Sequence, residues 1–126
     1  MAPKFGGARS YKTVDLSSRV EGASPHRLVG ILFDELGKAL EAMAAAMKRR
    51  DFTQRGARQA RALAILHGLE ASLDHERGGD LARDLAIVYA EARRLVLDGA
   101  RTNDPEPVVK ARDMVAEIAS AWAEIG

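Results

Sequence analysis

Residues 24–47 read SPHRLVGILFDELGKALEAMAAAM, and their pattern dictates an amphipathic helix. The Ser24 hydroxyl can accept from first-turn amides that have no helical partner, and Pro25 at the first helical position loses nothing by lacking an N–H. From that start Leu28, Ile31, Leu32, Leu36, Ala39, Met43 and Met47 recur at spacings of three and four, which puts them on one face of a helix reaching about Arg50. Val29, Phe33 and Leu40 make a second stripe beside the first. The apolar arc is therefore wider than a single neighbouring helix covers.

Downstream, Asp51–Thr53 reads as a short turn, and a second helix extends to about Leu73 with Ala62, Leu66, Leu69 and Leu73 inward and Arg55, Arg58 and Arg61 on its polar side. Asp74 to Gly79 reads as the main loop, because the adjacent glycines 78 and 79 end helical propensity and permit positive φ. Asp80 then caps a third helix carrying Leu81, Leu85, Val88, Ala92 and Leu95 and ending near Asp98-Gly99. After a turn at Thr102–Pro105, a fourth helix lines up Val108, Ala111, Val115, Ile118, Trp122 and Ile125. Four amphipathic helices on short connections predict an all-α fold, an antiparallel four-helix bundle over residues 24–126, about 30 Å long for helices of roughly 20 residues.

Upstream, residues 1–23 form an N-terminal lid segment, extended or short-helical. Its glycines and serines alternate with Phe5, Tyr11, Val14, Leu16 and Val20, which makes it too apolar for an ordinary solvated tail. Two readings stand side by side: the lid seals the bundle permanently, or it exchanges with an amphipathic helix from a partner that takes the same groove.

Composition agrees with one small helical domain. Hydrophobic residues make up 47% of the 126 residues and aromatics only 5%, a balance suited to helices packed closely on helices. The absence of cysteine excludes disulfides, thiolate metal sites and a cysteine nucleophile. The polar first eleven residues lack the apolar core of a cleavable signal, and no run of about 18 apolar residues occurs. A cytoplasmic location with no membrane insertion is expected. Lys and Arg number 19 against 18 for Asp and Glu, so no global field recruits a polyanion and nucleic acid is not an expected partner.

The chemistry-bearing residues support no catalysis. His67 precedes Glu70 by three residues, but a di-metal bundle needs Glu-x-x-His on two helices with further inward carboxylates. His26 falls in a first turn and His75 in a loop, and all three histidines read as surface groups. No Gly-x-Ser-x-Gly elbow or phosphate-binding loop occurs, and Asp34-Glu35 reads as solvated helix surface. No enzyme activity, cofactor or metal is expected. Arg55, Arg58 and Arg61 share a face that could span phosphates, yet nearby acids and the lack of interleaved aromatics favour a solvated surface.

Several segments in order resemble a known family. Tyr11-Lys12-x-Val14 is followed by Ala23-Ser24-Pro25-x-x-Leu28-Val29-x-x-Leu32-Phe33-Asp34, then Leu69-x-x-Ser72-Leu73-Asp74, Gly78-Gly79-x-Leu81-Ala82-x-x-Leu85, Val88-Tyr89, Asn103-Asp104 and Trp122. Their order and spacing resemble the flagellar export chaperone FliS family from Tyr11 to Trp122. Phe33 stands where that family usually has Tyr, Glu35 where it has Gly, and Gly99-Ala100 replaces Ala-Asn.

The resemblance implies a cytosolic monomer that binds the C-terminal part of flagellin, 1:1, prevents premature polymerisation and aids delivery to the export gate of the flagellar type III apparatus. It also implies an N-terminal segment that lies over part of the binding surface and moves when substrate arrives. On that basis the expected partner-binding residues are Tyr11 and Val14 in the lid and Leu28, Val29, Leu32 and Phe33 near the groove. Leu28 and Leu32 also fit plain core, since both lie on the inward stripe. The alternative is a structural or regulatory bundle with a permanent cap.

Overall fold

The computed structural model describes residue 16 and residues 18–125. Four helices follow one another: α1 (Pro25–Lys48), α2 (Phe52–Ala71), α3 (His75–Thr102) and α4 (Pro105–Ile125). A short helical turn at residues 18–20 precedes α1, and no strand occurs among the described residues. The expected all-α antiparallel bundle is the observed one.

Each helix begins where a short side chain accepts from an amide that the helix leaves unpaired. Ser24 Oγ accepts from the Arg27 N–H at 3.1 Å, Asp51 Oδ1 from Gln54 at 3.1 Å, Asp74 Oδ1 from Arg77 at 3.0 Å and Asp104 Oδ1 from Glu106 at 3.0 Å. Such caps are worth about 1 kcal/mol each, enough to fix where a helix starts. Two helices end on a left-handed residue. Arg50 (φ 58°) closes α1 and Asn103 (φ 52°) closes α3. In each case the next amide reaches back five residues, Asp51 to the Ala46 carbonyl and Asp104 to the Gly99 carbonyl, both at 2.9 Å.

Both ends of α3 differ from the sequence reading. Residues 75–78, expected as loop, form a helical turn because Asp74 rather than Asp80 supplies the cap. The Asp80 carboxylate instead accepts from Arg83 at 2.8 Å. The break falls at Gly79 (φ 50°, ψ −123°), where glycine's conformational freedom is needed, and the long part of α3 follows it. At the other end α3 runs through Gly99. That glycine is required for close approach, not termination: a Cβ there would lie 2.8 Å from the Asp104 carbonyl oxygen and 2.9 Å from Val108 Cγ2.

The helices form a ring in which α1 packs on α2 and α4, α4 on α3, and α3 on α2. Most of the wide apolar arc of α1 is consumed by this arrangement: Phe33, Leu36, Leu40 and Met43 all turn inward to meet Leu66, Leu69, Val96 and Val108. No polar or charged side chain among the described residues is fully buried. Removing each large side chain from water contributes roughly 1.5–3 kcal/mol, so this apolar interior is what holds the ring. The α2–α3 contact is the least extensive of the four. Polar ties supplement it. Arg93 pairs with Glu70, whose hydrogen bond raises the guanidinium pKa further, and Arg55 Nη1 donates to the Ala100 carbonyl at 3.1 Å.

Candidate partner-binding site

The start of α1, the end of α2, the start of α3 and the end of α4 meet at one pole of the bundle, and Trp122 stands at their junction. Its indole Nε1 donates to the His26 carbonyl at 2.8 Å, which anchors the end of α4 to the first turn of α1. The His26 ring stacks on the indole, with centroids 4.5 Å apart and planes 9° apart. Phe33 meets the indole edge-on at 5.9 Å, and Tyr89 lies 6.3 Å from Phe33. A line of aromatics thus crosses from α1 and α4 to α3. His26, expected as a surface group, is half-buried because it covers one face of Trp122. His67 and His75 are exposed as expected. Among the described residues no three His, Asp or Glu side chains converge as a metal site would require.

On one side of Trp122 lies an apolar hollow of about 300 Å³ between α2 and α3. Val29, Leu69, Leu73, Leu81, Leu85 and Tyr89 line it, with Asp74 and Arg77 alongside. Its origin is local. The α2–α3 seam is thin, and the break at Gly79 sets the first turn of α3 apart from the rest of the helix. Leu81 keeps 48% of its surface in water, so the hollow opens to solvent across an apolar rim. Burial there pushes the Tyr89 phenol up to about 12.

On the other side of Trp122 is a more polar cleft of about 450 Å³, bounded by Arg19, His26, Arg27, Ile31, Asp34 and Ala123. The helical turn before α1 borders it through Arg19. Gly22 (φ 76°) reverses the chain, and the Arg19 guanidinium reaches both Asp34 and Glu35 at 3.3 Å. Glu35 also accepts from Lys38 and from Arg61 of α2, each at 3.4 Å. Leu16 and Val20, on either side of Arg19 in sequence, are half-buried.

The residues expected to contact a partner occupy different settings. Tyr11 and Val14 lie outside the described residues. Val29 lines the apolar hollow. Leu28 is 38% exposed and lines neither cavity, and Leu32 is half-buried against the core. Phe33 is buried behind Trp122, where it supports the indole from beneath and offers no surface of its own. Leu73, Leu81, Leu85 and Tyr89 were read only as helix stripes or motif residues, though they form most of the hollow's wall. The available signal was that the apolar stripe of α3 begins directly after the paired glycines, at a helix end that a bundle leaves partly uncovered.

The arginine row of α2 does not form a phosphate-spanning line. Arg55 turns to the end of α3 and Arg61 to Glu35 of α1, so these two guanidiniums diverge.

Comparison with known proteins gives the family. The family model for flagellar protein FliS matches residues 7–126. The flagellar secretion chaperone FliS of Salmonella typhimurium is 32% identical over 120 residues, spanning 94% of this chain and 89% of the relative. The corresponding protein of Vibrio cholerae is 32% identical over 120 residues, spanning 95% and 88%. The flagellar secretion chaperone FliSB of Pseudomonas aeruginosa is 29% identical over 114 residues, spanning 90% of each. With a match across nearly its whole length and the helical bundle to go with it, the chain belongs to the FliS family of flagellar proteins.

Proposed function

We propose that this protein is a cytosolic export chaperone that holds the C-terminal part of flagellin, 1:1, keeps it from polymerising and aids its delivery to the flagellar export gate. The observation that carries this reading is the solvent-open apolar hollow bounded by Val29, Leu81, Leu85 and Trp122 at one pole of the bundle. A segment that is disordered alone and folds on assembly needs such a surface for its amphipathic helices. The cost of ordering it, roughly 2–5 kcal/mol or more, limits affinity and leaves release feasible without nucleotide. The lid, residues 1–23, is then a movable cover over the bundle domain, residues 24–126. The relatives' role as flagellar secretion chaperones supports the same reading.

Co-expression with a flagellin C-terminal fragment tests it. A complex of one copy each should co-elute on size exclusion, and Leu81→Glu, at an exposed rim position, should weaken it about tenfold or more by removing an apolar anchor. A protein that never forms this complex is not such a chaperone. The alternative, a structural or regulatory bundle with a permanent cap, draws support from the double tie of Arg19 to Asp34 and Glu35. That tie is partly exposed and worth about 1 kcal/mol or less, which is too weak to make the cover permanent by itself.

A further inference from the structure

The pole opposite Trp122 carries more positive charge than the fold or the proposed chaperone role uses. Residues 48–61 hold six cations and one acid in a chain whose net charge is only +1. Asp51, the single acid, is already engaged: Oδ1 caps α2 and Oδ2 pairs with Arg49. Outside this stretch every described Arg and Lys except Arg27 and Lys110 is paired with a carboxylate. Lys48, Arg50 and Arg58 have no such partner among the described residues. Two nearby acids at this pole are also committed, Asp98 to Arg94 and Arg101 and Asp104 to the α4 cap, which leaves Glu106 in the first turn of α4 as the exposed acid there.

Two further features mark the turn between α1 and α2. Phe52 is half exposed, and the guanidiniums of Arg50 and Arg55 lie over its ring at 5.4 and 6.0 Å. Arg50 also occupies the left-handed closing position of α1, where glycine or asparagine would sit with less strain. A charged, branched donor is held at a place the backbone would rather give to glycine.

We infer that this pole is a docking surface for an acidic segment of a partner protein, with Lys48, Arg50 and Arg58 pairing its carboxylates and Phe52 packing against its apolar side chains. Guanidiniums braced on an aromatic ring lose little freedom on pairing and present their N–H edges to a carboxylate. The same bracing disfavours nucleic acid, because two guanidiniums already lie over the Phe52 ring and compete with a base for stacking on it. Phe52 alone is too little apolar surface for insertion into a lipid interface. The two poles lie about 36 Å apart along the 24 residues of α1, so both can be occupied together. The inference is independent of what the apolar hollow binds.

Fluorescence anisotropy of the full chain with a short fluorescein-labelled peptide of Asp, Glu and Leu tests it. Arg50→Gly combined with Arg58→Glu should weaken binding about tenfold or more at low salt. Lys110→Glu, which reverses an exposed cation elsewhere, should change it less than about twofold. Arg50→Gly alone should raise the melting temperature while weakening the peptide, opposite directions that a purely structural residue would not produce. No peptide binding, or equal loss in Lys110→Glu, overturns the inference. Tighter binding to phosphatidylserine vesicles or to single-stranded polynucleotide overturns the assignment of a protein partner.

Discussion

Tyr89 links the core to the apolar hollow, and its ionisation reports on that position. The ring is 3% exposed beside Phe33, and burial lifts the phenol from its ordinary 10 to about 12. A group whose folded pKa is raised contributes stability that is complete below the unfolded value and is lost as pH rises toward the folded one. The window is therefore pH 10 to 12: the unfolded chain releases the proton first, and the native state is penalised. Wild type should lose roughly 1 kcal/mol from this group by pH 11. Tyr89→Phe, which cannot ionise, should show a smaller decline in urea midpoint between pH 9 and 11. Equal slopes for the two proteins would mean that the hydroxyl reaches water freely. Trp122 teaches a related lesson at the same scale. Its place on the fourth helix's apolar line was readable from spacing, but the hydrogen bond to the His26 carbonyl and the stacking of the His26 ring depend on two helix ends meeting, which no local pattern encodes.

At the scale of elements, the glycines separate what pattern can tell from what packing decides. Gly79 was legible as a break, and Gly99 was misread as a helix end because a close approach and a terminator look alike in sequence. The structure gives Gly99 and Gly68 opposite tests. In Gly68→Ala the new Cβ meets nothing within 4 Å, so the gain in helix propensity should raise stability by about 0.5–1 kcal/mol. In Gly99→Ala the same gain is opposed by overpacking against the Asp104 carbonyl and Val108, at 2.8 and 2.9 Å. Overpacking costs roughly 1–3 kcal/mol, and the Asp104 oxygen sits in a turn pinned by the 2.9 Å bond from the Asp104 amide to the Gly99 carbonyl. The clash should win, and urea denaturation should place Gly99→Ala below wild type and Gly68→Ala above it. The helix boundaries at α1 and α2 were readable to within two residues, since Ser24 and Asp51 cap in the way their chemistry demands. The first turn of α3 was not, because Asp74 and Asp80 are equally good caps by residue type and only the Gly79 backbone geometry selects between them.

For the whole molecule, periodicity was enough to derive a four-helix ring, because each apolar stripe has only neighbouring stripes to meet. The candidate site was less legible. Val29 was named and does line the hollow, but Leu81 and Leu85 carry the same inward spacing whether covered or open, and only the thin α2–α3 seam leaves Leu81 accessible while Leu85 is buried. How the lid relates to this surface is decided at the same scale. Among the described residues the buried core cluster is drawn from α1 to α4, and the described end of the N-terminal segment is tied to the bundle by Arg19. Partly exposed ion pairs of this kind are worth about 0–1 kcal/mol, small against the burial that holds the bundle. Deleting residues 1–20 should therefore leave helicity and a cooperative melt intact, with stability lowered by no more than about 2 kcal/mol. Affinity for a flagellin C-terminal fragment should rise, because the fragment no longer competes with a tethered cover. Circular dichroism and calorimetric titration on the same sample read both effects. Loss of helicity would make the first residues part of the fold and favour the permanent cap, whereas retained helicity with unchanged affinity would mean that the segment lies clear of the binding surface.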